Sequence, residues 1–179
     1  GSLLAHNVHS TLTAPSKFTL ARLEFPTGSV IGMSIPGIPV ILSGKNENIS
    51  WARGLVDADQ IDMYIEHFLP EDRTKYRSSE KNEIIKVRNE VIKTKGSADT
   101  KITLKWTKNG PIIPEHHFGL EIASKSNKAI SIKSNALLER DLTMTASIDL
   151  MLANDVSEAI EVSKNHVTPV QNLMLVDEK

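Results

Sequence analysis

The chain has 179 residues and carries 21 Lys+Arg against 22 Asp+Glu, a formal net charge of −1, which excludes a nucleic-acid binder held by bulk charge. It contains no cysteine, so a disulfide framework, a thiolate zinc site and a cysteine nucleophile are all excluded. With 40% hydrophobic but only 4% aromatic residues, its core must be largely aliphatic, and its length suits a single compact piece over residues 1–179. No apolar run approaches the ~18–20 residues needed to span a bilayer. The start, Gly1-Ser2-Leu3-Leu4-Ala5-His6, lacks the basic and apolar regions of a signal peptide, so neither a membrane partner nor a targeting signal is expected.

Residues 1–50 hold 5 of the 9 glycines and 4 of the 8 prolines, placed as punctuation between short aliphatic runs, a pattern of strands and turns. Strands are expected over Phe18–Phe25, Ser29–Ser34 and Pro39–Gly44, with a turn over Gly44–Asn48. Ile49–Arg53 and Asp62–Phe68 then read as further strands. Leu69–Tyr76, with Pro70 followed by acids, predicts one short helical turn. A charged hairpin follows at about 80–107, in which Glu83–Thr94 and Thr100–Thr107 alternate charged and apolar residues across a Gly96–Asp99 connection. Its lysines read as solvated edge protection rather than a binding patch.

After the Asn109-Gly110-Pro111 turn, a strand is expected over Phe118–Ala123. The period then changes. Leu142–Ala153 predicts a helix carrying Met144, Ile148, Met151 and Leu152 at helical spacing. Asp155-Val156-Ser157-Glu158 has the form of a capping box opening a second helix to about His166, with Val156, Ala159, Ile160 and Ser163 facing the core. Thr168-Pro169 stops it, and Val170–Asp177 reads as a final buried strand. The fold class is therefore α+β, strands first and then a helical pair.

Few isolated motifs carry chemistry. Asp57, Asp59 and Asp62 cluster near Gly54, and carboxylates at this spacing can donate some of the ~6–8 oxygens a calcium ion takes, although acids in turns more often cap or face solvent. His6 and His9 lie three apart on a segment that reads as extended, which points them to opposite sides and argues against a shared metal. His116 and His117 read as a loop feature, and His67 and His166 stand alone. No P-loop, G-x-G-x-x-G or G-x-S-x-G occurs.

Whole segments are more telling. Leu3-Leu4-Ala5-His6-Asn7-Val8-His9, then Val30–Pro39, then Gly44–Trp51, Ala58-Asp59-Gln60-Ile61-Asp62-Met63-Tyr64-Ile65-Glu66, Trp106–Pro111 and Pro169-Val170-Gln171-Asn172-Leu173 together resemble, in order, an early-to-middle stretch of the β-chain of penicillin acylases. Those enzymes are N-terminal nucleophile hydrolases, a group that includes acyl-homoserine-lactone acylases. The resemblance implies part of a four-layer αββα architecture and a parent protein that removes acyl groups from penicillin-like β-lactams or N-acyl-homoserine lactones. It implies a serine nucleophile whose own α-amino group is the base, which suits an amine of reference pKa ~8.

Carried over by position, the resemblance makes the Leu55 backbone N–H an oxyanion donor and His9 a site-lining residue. It makes Asp59, the Ile61 carbonyl and Asp62 ligands of a structural calcium ion. The nucleophilic serine is expected in an S-N-x-W segment before the Leu3-Leu4-Ala5 stretch, and Ser2 does not replace it, so the 179 residues alone are expected to be inactive. The implied partners are a small acyl amide substrate, the remainder of the acylase chains, and a second copy of this chain covering open sheet edges. The parent is expected in the periplasm or outside the cell. Asn7-Val8 departs from the family's D-P pair at the entrance to the acyl pocket. The rival reading is an acylase fold without catalysis, serving as a binding or structural domain.

Overall fold

The computed structural model describes residues 1–79, 81–117, 120 and 126–178. Against the single piece expected from length, the chain is organised as two compact units, Gly1–Ala58 with Leu138–Lys179, and Asp59–Leu137. Each unit has its own apolar cluster.

The first unit is an antiparallel sheet of β1 (Thr19–Phe25), β2 (Gly28–Ser34), β3 (Ser43–Lys45), β4 (Ile49–Gly54) and β12 (Asn172–Asp177), adjacent in that order. Turn signals separate consecutive strands, so β1 to β4 form a meander, and β12 returns to pair with β4, setting Leu175 opposite Trp51. The expected Pro39–Gly44 strand shrinks to Ser43–Lys45. Val40 and Ile41 are buried without strand pairing; Ser34 Oγ donates to Val40 O at 2.8 Å, and Leu42 N donates to Met33 O at 2.8 Å. Gly44, expected to open a turn, sits within β3 because it faces Gly32 of β2. A Cβ on Gly32 would lie 2.3 Å from the Ser43 carbonyl oxygen, and one on Gly44 2.3 Å from that of Ile31, so close strand approach requires both glycines.

Two helices pack on this sheet, α1 (Thr143–Leu152) and α2 (Val156–Ser163). Of the apolar residues at helical spacing in α1, Met151 is buried, together with Ala146, Ser147 and Leu150, while Met144, Ile148 and Leu152 are exposed. In α2, Ala159 is fully buried but Ile160 is 52% exposed, so the core stripe is narrower than the aliphatic positions imply. The expected cap forms, with Asp155 Oδ1 accepting from Glu158 N at 2.9 Å. The return bond of a capping box is shifted by one residue, since Glu158 Oε2 accepts from Asn154 N at 2.8 Å. The core joins Val30, Ile49 and Trp51 of the sheet to Leu150, Met151 and Ala159 of the helices.

The second unit contains β5 (Ile61–His67), β6 (Lys75–Arg77), β7 (Asn82–Ile84), β8 (Lys86–Ile92), β9 (Thr100–Thr107), β10 (Gly110–Pro111) and β11 (Lys128–Ser134). β5 pairs with β11, β6 with β7, and β8–β9–β10 form a three-stranded sheet. The charged hairpin forms as β8 and β9, with β8 exposed along its whole length. The helical turn expected at Leu69–Tyr76 is instead a tight turn into β6. Asp72 Oδ1 accepts from Thr74 N at 3.0 Å, and Leu69 N donates to Lys75 O at 3.1 Å. The Thr74 hydrogen bonds, reinforced by Lys75, hold the Asp72 carboxyl down to about 2. β11 had no counterpart among the predicted elements; its lysines and serines mask the period-two burial of Ala129 and Ser131. Apart from Leu120, the strand expected over 118–123 lies outside the described residues. Among the described residues no helix is long and apolar enough to cross a membrane, which says nothing about strands.

Candidate functional site

β4 carries Trp51 into the core and then runs out to Arg53, Gly54 and Leu55 on the wall of a cavity of about 680 Å³ in the first unit. The extended segment His6–Ser10 forms one side, and α1 with the turn around His166 to Gln171 contributes the other. His6 and His9 both line this cavity, as do the residues between them.

Two residues singled out by the resemblance thus meet in one place. His9 is exposed in the cavity wall, and Leu55 is 72% exposed, not a core leucine. The Leu55 carbonyl is held by Asn172 Nδ2 at 3.2 Å, a bond that ties the end of β4 to the start of β12. The Leu55 N–H makes no hydrogen bond with another described residue. An amide N–H whose own residue's carbonyl is held in this way, yet itself unused, can serve as a preorganised donor.

Asp59, Ile61 and Asp62 lie in the second unit at the start of β5, all exposed. Asp59 Oδ1 accepts from Ile61 N at 3.3 Å. Their donors, two carboxylates and a carbonyl, have the hard-oxygen chemistry calcium prefers, but they fall short of its usual ligand number. Among the described residues no group of three or more His, Cys, Asp or Glu gathers to hold a metal.

The strongest polar cluster escaped the sequence reading. Arg53 Nη1 donates to His166 Nδ1 at 2.8 Å, and Nη2 donates to Ser147 Oγ at 3.1 Å. His166 Nε2 lies 2.9 Å from Pro169 O, which defines the neutral tautomer: Nε2–H donates to the carbonyl and Nδ1 accepts from Arg53. Ser147 Oγ donates in turn to Thr143 O at 2.8 Å, and Thr143 Oγ1 accepts from Val167 N and Thr168 N. Arg53 Nε is buried without a partner among the described residues. Burial lowers the pKa of Arg53, and burial, aided by the Arg53 charge, lowers that of His166. An arginine at an inward strand position among small residues was the available signal, but a lone histidine 113 residues away gave no hint of pairing.

In the second unit, Glu66 is 3% exposed, and its Oε1 accepts from Ser131 Oγ at 2.6 Å, Thr107 Oγ1 at 2.7 Å and Asn109 Nδ2 at 2.9 Å. These bonds lock the Asn109-Gly110-Pro111 turn onto β5 and β11. Gly110 is required there, since its φ is +134° and a Cβ would lie 1.9 Å from the Ile132 carbonyl oxygen.

The sequence profile of the penicillin amidase family matches residues 1–179. The chain is 24% identical over 184 residues to the acyl-homoserine lactone acylase QuiP of Pseudomonas aeruginosa, covering 99% of this chain and 22% of that protein. It is 22% identical over 176 residues to the penicillin acylase 2 proenzyme of a Pseudomonas species, covering 98% of this chain and 22% of the relative. The chain therefore spans about a fifth of the length of these curated relatives. Its fold is similar to that of a thermostable penicillin G acylase from Alcaligenes faecalis, with a TM-score of 0.75 and 21% identity over 92% of this chain and 28% of that one. With the α+β order of strands and helical pair in place and the profile matched from end to end, the chain belongs to the penicillin amidase family.

Proposed function

We propose that these 179 residues are part of an amidohydrolase that takes acyl groups off penicillin-like β-lactams or N-acyl-homoserine lactones. The observation that carries this reading is the meeting of Leu55 and His9 on one cavity. The names of the relatives, acylases of both kinds, support it.

In this mechanism a serine of the parent protein, with its own α-amino group as base, attacks the carbonyl carbon of the substrate amide. The serine proton passes to the amine, and the carbonyl oxygen becomes an oxyanion that accepts from Leu55 N–H. Collapse of the intermediate breaks the C–N bond, and the leaving nitrogen takes the proton. A water molecule then attacks the resulting ester, releasing the carboxylic acid and restoring the serine hydroxyl. On this reading the 179 residues alone are inactive, the remainder of the acylase chains completes the site, and the parent works in the periplasm or outside the cell. Asp59, the Ile61 carbonyl and Asp62 supply part of a structural calcium site, its other oxygens coming from elsewhere in the parent.

The test uses the parent protein with phenylacetyl and long-chain acyl amides. Because the donor is a backbone N–H, Leu55→Ala keeps activity within about threefold, whereas Leu55→Pro, which removes that hydrogen, costs about 10²–10³ in kcat. A correctly folded parent that cleaves neither substrate class refutes the proposal and favours an acylase fold kept for binding alone.

A further inference from the structure

Arg53 is the most demanding group in the first unit. Its guanidinium is partly withdrawn from water, and none of the ion pairs among the described residues includes it. Its observed partners, the His166 ring and the Ser147 hydroxyl, are neutral. A cation drawn into an apolar wall without a counter-charge is unfavourable until an anion reaches it. The cavity wall supplies no counter-charge: Arg53 and Lys17 line it, and no aspartate or glutamate does.

The guanidinium is also held for further bonding. Nη1 and Nη2 each use one hydrogen, on His166 and Ser147, which leaves a second hydrogen on each nitrogen. A planar pair of N–H donors matches the two oxygens of a carboxylate. The ring of His166, anchored through Nε2 to Pro169 O, keeps the guanidinium from swinging away. Arg53 lies two residues before Leu55, about 7 Å along an extended chain, so one small molecule can engage both.

We propose that this cavity takes a substrate bearing a carboxylate, received by the Arg53 guanidinium, and that Arg53 is a specificity-determining residue of the site. The inference rests on the acylase reading of the cavity and deepens it. The carboxylate can belong to the acyl part of the substrate or to its amine part, and two ligand pairs separate these sources. Glutaramate against glutaramide probes the acyl side; 6-aminopenicillanate against its carboxamide probes the amine side.

Calorimetric titration of the parent protein is expected to give at least tenfold tighter binding of the carboxylate member in one pair. Arg53→Met reduces that ratio below twofold, and Arg53→Lys, which keeps the charge but loses the fork, retains an intermediate preference. Equal or absent binding of both members of both pairs by the wild-type protein overturns the inference without reference to any variant. So does an unchanged ratio in a folded Arg53→Met protein. A parent that cleaves neutral phenylacetyl amides as readily as glutaryl amides, and amides of 6-aminopenicillanate carboxamide as readily as those of 6-aminopenicillanate, before and after Arg53→Met, sinks this inference and leaves the acylase reading intact. Carboxylate preference without amide cleavage removes the acylase reading and leaves the Arg53 assignment standing.

Discussion

Replacing Trp51 by phenylalanine tests whether β4, the strand that delivers Arg53 and Leu55 to the cavity, is held by the interaction assigned to it. Trp51 is 1% exposed, and its Nε1 donates to Ile41 O at 3.1 Å, across backbone that has no strand pairing of its own. Phenylalanine removes the donor and leaves a buried carbonyl, a loss of about 1–3 kcal/mol. The smaller ring opens roughly 40 Å³, which at about 24 cal/mol per Å³ adds about 1 kcal/mol. Together these give about 2–4 kcal/mol, and for a chain of this size a fall in Tm of about 4–16 °C. Far-UV circular dichroism reads the melt, and amide hydrogen exchange at Ile49 and Leu175 reports on the first unit. Trp106→Phe, which alters a ring stacked under Arg88 in the second unit, is the control. A loss below about 1 kcal/mol, or one no larger than the control's, would refute the assignment of Trp51 as the pin of this strand.

Other consequences follow from single groups. Asp155→Ala removes the α2 cap and costs about 1 kcal/mol in a denaturant melt, while Asp155→Asn, which can still accept from Glu158 N, costs less. His166 has its pKa lowered from the ordinary 6.5 by burial, so the folded state resists a proton that the unfolded chain accepts. The stability tied to His166 is thus present above about pH 6.5 and is lost as pH falls below it. Between pH 7.5 and 5.5 the wild-type Tm falls further than that of His166→Gln; parallel slopes would show that the Arg53–His166 contact does not depend on the neutral ring. Calorimetric titration of the parent protein with calcium is expected to give a saturable heat that disappears in Asp62→Ala, and silence from both proteins counts against the proposed metal ligands.

The legible parts of this protein were those that local physics governs. Turn residues between β-branched runs placed β1, β2, β4 and β5, and Asp155 with Glu158 marked the start of α2, because caps and turns are satisfied within a few residues. β11 was missed because its buried positions are Ala129 and Ser131, small or polar residues that carry little hydrophobic alternation, and it exists through its pairing with β5. The buried face of α2 was misjudged at Ile160, and Met144 and Ile148 of α1 stay exposed despite their helical spacing, since helical period defines a stripe while the facing sheet decides how much of it is covered.

By itself the sequence determined the family, through ordered segments spread over the whole chain, and with it the positions of His9, Leu55, Asp59, Ile61 and Asp62 as residues to examine. Only the tertiary structure decided that His9 and Leu55 share a cavity and that Gly32 and Gly44 meet across two strands. It alone brought Arg53 of β4 to His166 beyond α2. The physical reason is the same in each case: these contacts join residues far apart in the chain, and nothing in local propensity or period records which distant side chain will satisfy a buried donor or fill the space beside a missing one.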